Sequence, residues 1–152
     1  MILFITTRCN SNCTHCLSSC TSTGIDMTDE VLTTAIGFIN QISPLAINIS
    51  GGEPSLHADL LHIIKRLKHE VKPNPEFNIQ PAISLITNGT FYASDEHLLQ
   101  QLLGMGIFVQ VPVPETDKIF YGWSSIIEDP VDPRRFFVTS NCGGTWSMPL
   151  PE

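Results

Sequence analysis

The chain of 152 residues is long enough to bury a sizeable core as one domain, and its 42% hydrophobic share excludes wholesale disorder. With 15 Asp+Glu against 8 Lys+Arg, a formal net charge of -7, it has no basic stripe for nucleic-acid phosphates. The 5 cysteines are an odd set with three close together, which suits thiolates kept reduced for a metal in the cytoplasm better than a secreted disulfide framework.

No apolar run approaches the roughly 18 to 20 residues that span a bilayer. Met1 to Thr7 lacks the basic flank of a signal peptide and reads instead into a first strand over Ile2 to Thr6. A polar loop follows, carrying Cys9-Asn-Ser-Asn-Cys13-Thr-His-Cys16 and then Cys20. Asp26 or Thr28 can cap the next helix, in which Val31, Leu32, Ala35, Ile36, Ile39 and Ile42 recur at three- and four-residue spacing. Pro44 separates this helix from a second strand near Ala46 to Ile49, which runs into Ser50-Gly51-Gly52-Glu53-Pro54.

Ser55 can cap a second helix over Leu56 to Glu70, with Leu60, Leu61, Ile63, Ile64 and Leu67 as its buried stripe and Lys65, Arg66 and Lys68 mostly on the wet side. Pro73 and Pro75 close it. The third strand, Ala82 to Thr87, leads into Asn88-Gly89. Ser94 then caps a helix over Asp95 to Leu103, Gly104 and Gly106 stop it, and a fourth strand covers Ile107 to Val113. The rhythm breaks after Pro114: Phe136 to Thr139 reads as one more strand, and the rest of 115–152 reads as irregular. His57, His62, His69 and His97 read as helix-surface residues. Cys142 reads as a small buried hydrophobe.

Apolar, β-branched strands alternating with amphipathic helices predict an α/β fold, a parallel sheet with helices on its outer face, within a single domain 1–152. In such sheets ligand chemistry gathers at the carboxyl ends of the strands, where the cysteine loop, the Gly51-Gly52 turn and Thr87-Asn88 all lie.

The cysteine run itself points to iron. A bacterial ferredoxin run spaces cysteines two, two and three apart and supplies four ligands, whereas Cys9, Cys13 and Cys16 supply three and leave one iron open. With the GGEP turn and Thr87-Asn88-Gly89 following in order, the chain resembles the radical S-adenosylmethionine (SAM) superfamily, as a short member with a truncated barrel. The resemblance implies a partial, open (β/α) barrel of about four to five parallel strands. It also implies a 4Fe-4S cluster on Cys9, Cys13 and Cys16, with SAM as cofactor. The cofactor contacts would be His15, Ser50, Gly51, Gly52, Glu53, Pro54, Thr87 and Asn88. The chemistry implied is reductive SAM cleavage to a 5'-deoxyadenosyl radical, with flavodoxin or ferredoxin as electron donor and a peptide or protein as substrate. The glycine-rich motif common at the family's fifth strand has no good counterpart here. An open barrel leaves a side for a capping partner or a second copy of the chain to cover.

Other readings stand beside this one. Zinc could take the three cysteines with His15, Cys20 or another fourth ligand, although the GGEP turn then has no role. Gly51-Gly52 and Asn88-Gly89 are also ordinary turn pairs. Cys20 could in principle close the cluster. A glycyl-radical-enzyme activase and a non-catalytic iron–sulfur or zinc-binding remnant are the competing functions.

Overall fold

The computed structural model describes residues 1–11, 13, 16, 18–93, 95–114, 121–128, 135–140 and 145–149. The chain divides into two compact units, Met1–Ser84 and Leu85–Glu152.

In the first unit β1 (Ile2–Thr6) is followed by α1 (Asp29–Ile42), β2 (Ala46–Gly51), a 3-10 turn over Pro54–Leu56, α2 (Leu60–Glu70) and the start of β3 (Ala82–Ile86). The strand order is β1-β2-β3. β1 and β2 pair in parallel, Ile2 opposite Asn48 and Phe4 opposite Ser50, with an irregularity before Thr6 meets Gly51. Parallel neighbours need a crossover, and α1 supplies it. Side chains alternate across a strand. Leu3 and Ile5 are accordingly buried and Ile2 and Phe4 exposed, at 52% and 47%. Leu3, Ile5, Ile47 and Ile49 form the apolar core with Leu32, Ile36 and Ile39 of α1 and Leu60, Ile63, Ile64 and Leu67 of α2. On the other face Ser84 Oγ donates to Asn48 Oδ1 at 2.6 Å. β2 is the partner of β1 among the described residues, which leaves β1 as an open edge.

Thr28 caps α1 by accepting from Val31 N, and Ser43 closes it in the left-handed region at φ 47. The buried stripe of α1 is narrower than the periodicity predicts, since Val31 and Ile42 are about half exposed. Asp26, the alternative cap, is committed to Thr6 and Arg8 instead.

The expected start of the second helix is corrected. Leu56 belongs to the short 3-10 turn, capped by Glu53 and not by Ser55, and α2 begins at Leu60. The Glu53 carboxylate takes the Ser55 N–H at 3.0 Å, so Ser55 is the donor there. Arg66 is also less exposed than the wet side implies. It grips Glu70 with Nε and Nη2 at 2.6 and 2.8 Å, and reaches Asp29 of α1 with Nη1 at 2.8 Å. The loop after α2 is organised by buried Asn74, whose Oδ1 accepts from the N–H groups of Glu76 and Phe77.

The second unit holds the rest of β3, a 3-10 turn over Thr90–Ala93, α3 (Glu96–Gly104), β4 (Phe108–Pro114), β5 (Tyr121–Glu128), β6 (Arg135–Ser140) and β7 (Thr145–Pro149), in the strand order β3-β4-β5-β6-β7. α3 is capped by Asp95, which accepts from Leu98 N at 2.9 Å. The expected cap, Ser94, lies outside the described residues, as does Cys142. Gly106 takes φ 69 just past the helix end.

β3 and β4 run parallel through α3, as the βα rhythm predicts. Beyond Pro114, where one strand is expected and the rest as irregular chain, there are three antiparallel strands, with pairs such as Val111 to Ser124, Ile126 to Val138 and Val138 to Trp146. Their links are too short for a helical crossover, and short links join antiparallel strands. The expected strand over Phe136 to Thr139 falls within β6. No helix among the described residues is long and apolar enough to cross a membrane.

Candidate metal centre and cofactor turn

The cysteine loop is tied at its root before any cysteine is reached. Beyond β1, Thr7 N donates to Ile25 O at 2.9 Å, Thr21 N to Thr7 O at 3.2 Å and Cys9 N to Thr21 O at 2.8 Å, while Met27 N donates to Ile5 O at 2.7 Å. The segment between Cys9 and Thr21 is therefore an excursion with a hydrogen-bonded stem. Gly24 lets that stem close, because a Cβ there would stand 2.2 Å from the Thr7 carbonyl carbon.

Cys9, Cys13, Cys16 and Cys20 are free thiols, with Cys13 and Cys16 exposed and Cys9 and Cys20 half-buried. Ser11 N donates to Cys9 Sγ at 3.4 Å and Cys20 N to Cys16 Sγ at 3.5 Å. The Cys20 N–H, and after it the Ser18 N–H, hold the Cys16 thiol below the ordinary thiol range. Burial first, and then the charge of Cys16, push the Cys20 thiol up. The two thiols are thus unequal: Cys16 is the readier thiolate, and thiolates are what bind metal. Among the described residues no three Cys, His, Asp or Glu side chains are already gathered into a metal-sized group. The donor set nonetheless fits an iron–sulfur cluster, with three reduced thiols on one stemmed loop and backbone N–H groups aimed at two of the sulfurs. His15 lies outside the described residues.

The Gly51-Gly52-Glu53-Pro54 segment lies against that root. Gly52 N donates to Thr6 O and Glu53 N to Arg8 O, both at 2.8 Å. A Cβ on Gly52 would stand 2.2 Å from the Arg8 carbonyl oxygen and 2.9 Å from Cys9 Cβ, and one on Gly51, at φ 151, would stand 2.3 Å from Thr6 O. Neither position accepts a side chain. Ser50, one residue before the end of β2, is half-buried, and Pro54 is buried at the head of the 3-10 turn. Glu53 is fully buried, and its capping bond to Ser55 N gives it a structural task besides the cofactor contact expected of it.

Thr87 and Asn88 belong to the second unit. Thr87 is buried; its N–H donates to Gln110 O at 2.9 Å and its Oγ1 accepts from Gly89 N at 3.1 Å. Asn88 Oδ1 accepts from both N and Oγ1 of Thr90, at 2.9 and 2.8 Å, and Gly89 sits at φ 80. Both side chains shape the turn after β3.

Two features escape the sequence reading. Arg8 and Asp26 form an ion pair at 2.5 Å, and Thr6 Oγ1 donates to the same carboxylate at 2.6 Å. A basic residue before a cysteine and an acid eighteen positions later carry no periodic signal. The second is His57, expected on a helix surface and found only 5% exposed. Its Nδ1 accepts from Asp59 N at 3.0 Å, so Nε2 is the atom that donates to Met27 O at 3.1 Å. His57 lies between the 3-10 turn and α2, not on a helix, which is why the surface expectation fails. His62, His69 and His97 are exposed, as expected. His57 helps to line a cleft of about 270 Å3 with Met27, Thr28, Asp29, Leu32, Asp59, His62 and Ile63, which includes none of the expected site residues.

The family model described as the Radical SAM superfamily matches residues 3–126. No curated protein matches the chain.

Proposed function

Because the chain belongs to the radical SAM superfamily, we propose that it is an iron–sulfur enzyme that cleaves SAM reductively and abstracts hydrogen from a peptide or protein. The observation that carries this reading is the fit of the Gly51-Gly52 turn on the root of the cysteine loop, where Gly52 has no room for a Cβ between Arg8 and Cys9. That fit puts the turn beside Cys9.

Cys9, Cys13 and Cys16 would hold the 4Fe-4S cluster. Gly51, Gly52 and Glu53 would hold the amino-acid end of SAM, with Ser50 and Pro54 flanking and Thr87, Asn88 and His15 as the further contacts. When bound, the cluster would supply one electron and SAM a sulfonium carbon–sulfur bond to be cleaved by it, which together would provide hydrogen-abstraction chemistry. The chain's own part is to favour the Cys16 thiolate through the Cys20 and Ser18 N–H groups, to keep the turn narrow with two glycines, and to leave one iron free of protein.

A peptide or protein substrate is supported by the face of the first unit's sheet opposite its core. There the exposed apolar Ile2 and Phe4 stand near the Asn48–Ser84 hydrogen bond, a mixture of apolar surface and hydrogen-bonding groups that suits a polypeptide. The acidic balance argues against nucleic acid. A flavodoxin or ferredoxin would supply the electron.

Anaerobic reconstitution with iron and sulfide is the test. About four irons per chain, with release of 5'-deoxyadenosine under a strong reductant, supports the enzyme. Zinc as the bound metal, or iron without SAM cleavage, sinks it in favour of a binding module.

A further inference from the structure

Arg8 is the residue at which the cysteine loop and the GGEP segment meet. Its carbonyl accepts from Glu53 N at 2.8 Å, at the start of the 3-10 turn, and its Nη2 donates to Leu56 O at 2.5 Å, at the end of that turn. One residue therefore grips the turn at both ends, once through its backbone and once through its side chain. The same Nη2 donates to Asp26 Oδ2 at 2.5 Å, where the loop returns, and the Arg8 N–H donates to Thr6 Oγ1 at 2.9 Å. The next residue is Cys9, whose N–H is held by Thr21 O.

Stability does not account for this choice of residue. The ion pair is about one-third exposed on each side, so solvent screens much of it. Arg8 Nε is buried and finds no hydrogen-bond partner among the described residues, which opposes folding. What the planar guanidinium supplies is a fixed reach to two acceptors on different segments, which a flexible ammonium does not fix as well.

We propose that Arg8 is a positioning residue that sets the Gly51–Pro54 segment against Cys9. It thereby fixes the spacing between the protein groups for the amino-acid end of SAM and the first cluster thiolate. The inference rests on the radical SAM reading above and adds to it a residue outside the cysteines and the GGEP turn.

The test compares the full-length chain with Arg8→Gln, Arg8→Lys and Asp26→Asn. Three quantities are read: iron and sulfide per chain, SAM affinity of the reconstituted protein, and hydrogen exchange at the Glu53 amide against amides within α1 and α2. Expected for Arg8→Gln is wild-type iron content, SAM binding weakened about tenfold, the order of one charge-assisted hydrogen bond, and faster exchange at Glu53 alone. Arg8→Lys should recover part of the affinity. Asp26→Asn, which keeps the arginine, should move both readouts in the same direction and serves if Arg8→Gln does not fold. SAM affinity within twofold of wild type in Arg8→Gln, or weakened affinity with unchanged Glu53 exchange, overturns the proposal. If the wild-type chain takes up neither iron nor SAM, the enzyme reading fails instead. Exchange at Glu53 in the metal-free chains then decides whether Arg8 holds the segment.

Discussion

Gly52 approaches Arg8 so closely that a Cβ would lie 2.2 Å from the Arg8 carbonyl oxygen and 2.7 Å from its carbon, with Cys9 Cβ at 2.9 Å. The glycine thus serves the root of the cysteine loop as well as its own turn. Gly52→Ala should weaken SAM binding and also lower iron uptake, because relief of the clash must move backbone and not a flexible side-chain end. Overpacking of this kind costs about 1 to 3 kcal/mol of stability, read by urea unfolding of the metal-free chain. Iron content equal to wild type would show that the loop root moves independently of the turn.

Gly37 is the contrasting case. It lies in α1 with open space where a Cβ would go, so Gly37→Ala should stabilise the protein by about 0.5 to 1 kcal/mol. Loss of stability in a thermal melt would mean that the helix face there is covered.

Cys9→Ala, Cys13→Ala and Cys16→Ala should each lose the cluster's visible absorbance, since each leaves one iron without a thiolate. Cys20→Ala should retain it, though with the Cys20 N–H still available to Cys16 Sγ because that donor is backbone. A colourless Cys20→Ala protein would place a fourth ligand there and remove the open iron.

His57→Leu keeps bulk but removes two part-buried hydrogen bonds, those to the Asp59 N–H and the Met27 carbonyl. Each lost hydrogen bond costs about 0.5 to 1.5 kcal/mol, so the variant should unfold at lower urea concentration than wild type. An unchanged midpoint would show that water replaces the imidazole.

Arg66 gives a pH signature. Its hydrogen bonds are the first cause holding Asp29 and Glu70 below their ordinary values of 3.8 and 4.5. Carboxyls depressed in the folded state stabilise it above their unfolded values, and that contribution disappears as pH falls through the folded ones. Wild type should therefore lose stability more steeply than Arg66→Gln from about pH 5 downward, with the difference reduced by salt. Parallel profiles for the two proteins would show the pairs to be silent. Both carboxylates are solvent-exposed, so a shallow slope is expected.

The βα order was legible because core strands and helix stripes repeat at periods of two and about 3.6. The cysteine spacing was legible because ligand chemistry is local. Caps were only half legible. Thr28 behaves as its type predicts, yet Ser55 loses the capping role to Glu53, whose carboxylate reaches the Ser55 N–H itself. His57, Arg8 and Asp26 were silent because their partners are distant in sequence, and pairing of that kind has no period. The strands over Tyr121–Glu128 and Thr145–Pro149 were missed because the proline- and glycine-rich stretches around them masked short alternations.

The hydrogen-bonded stem of the cysteine loop has a consequence for the order of assembly. In a zinc finger the metal meets the entropy of bringing ligands together, and the apo chain is unfolded. Here Thr7, Cys9, Thr21 and Ile25 join the loop's ends through backbone bonds, and none of the described cysteines is a buried core residue. The polypeptide can therefore fold without a metal, and a cluster on these thiols would be added to a native chain. A cluster destroyed by oxygen could then be rebuilt in place, by a delivery system acting on the native chain.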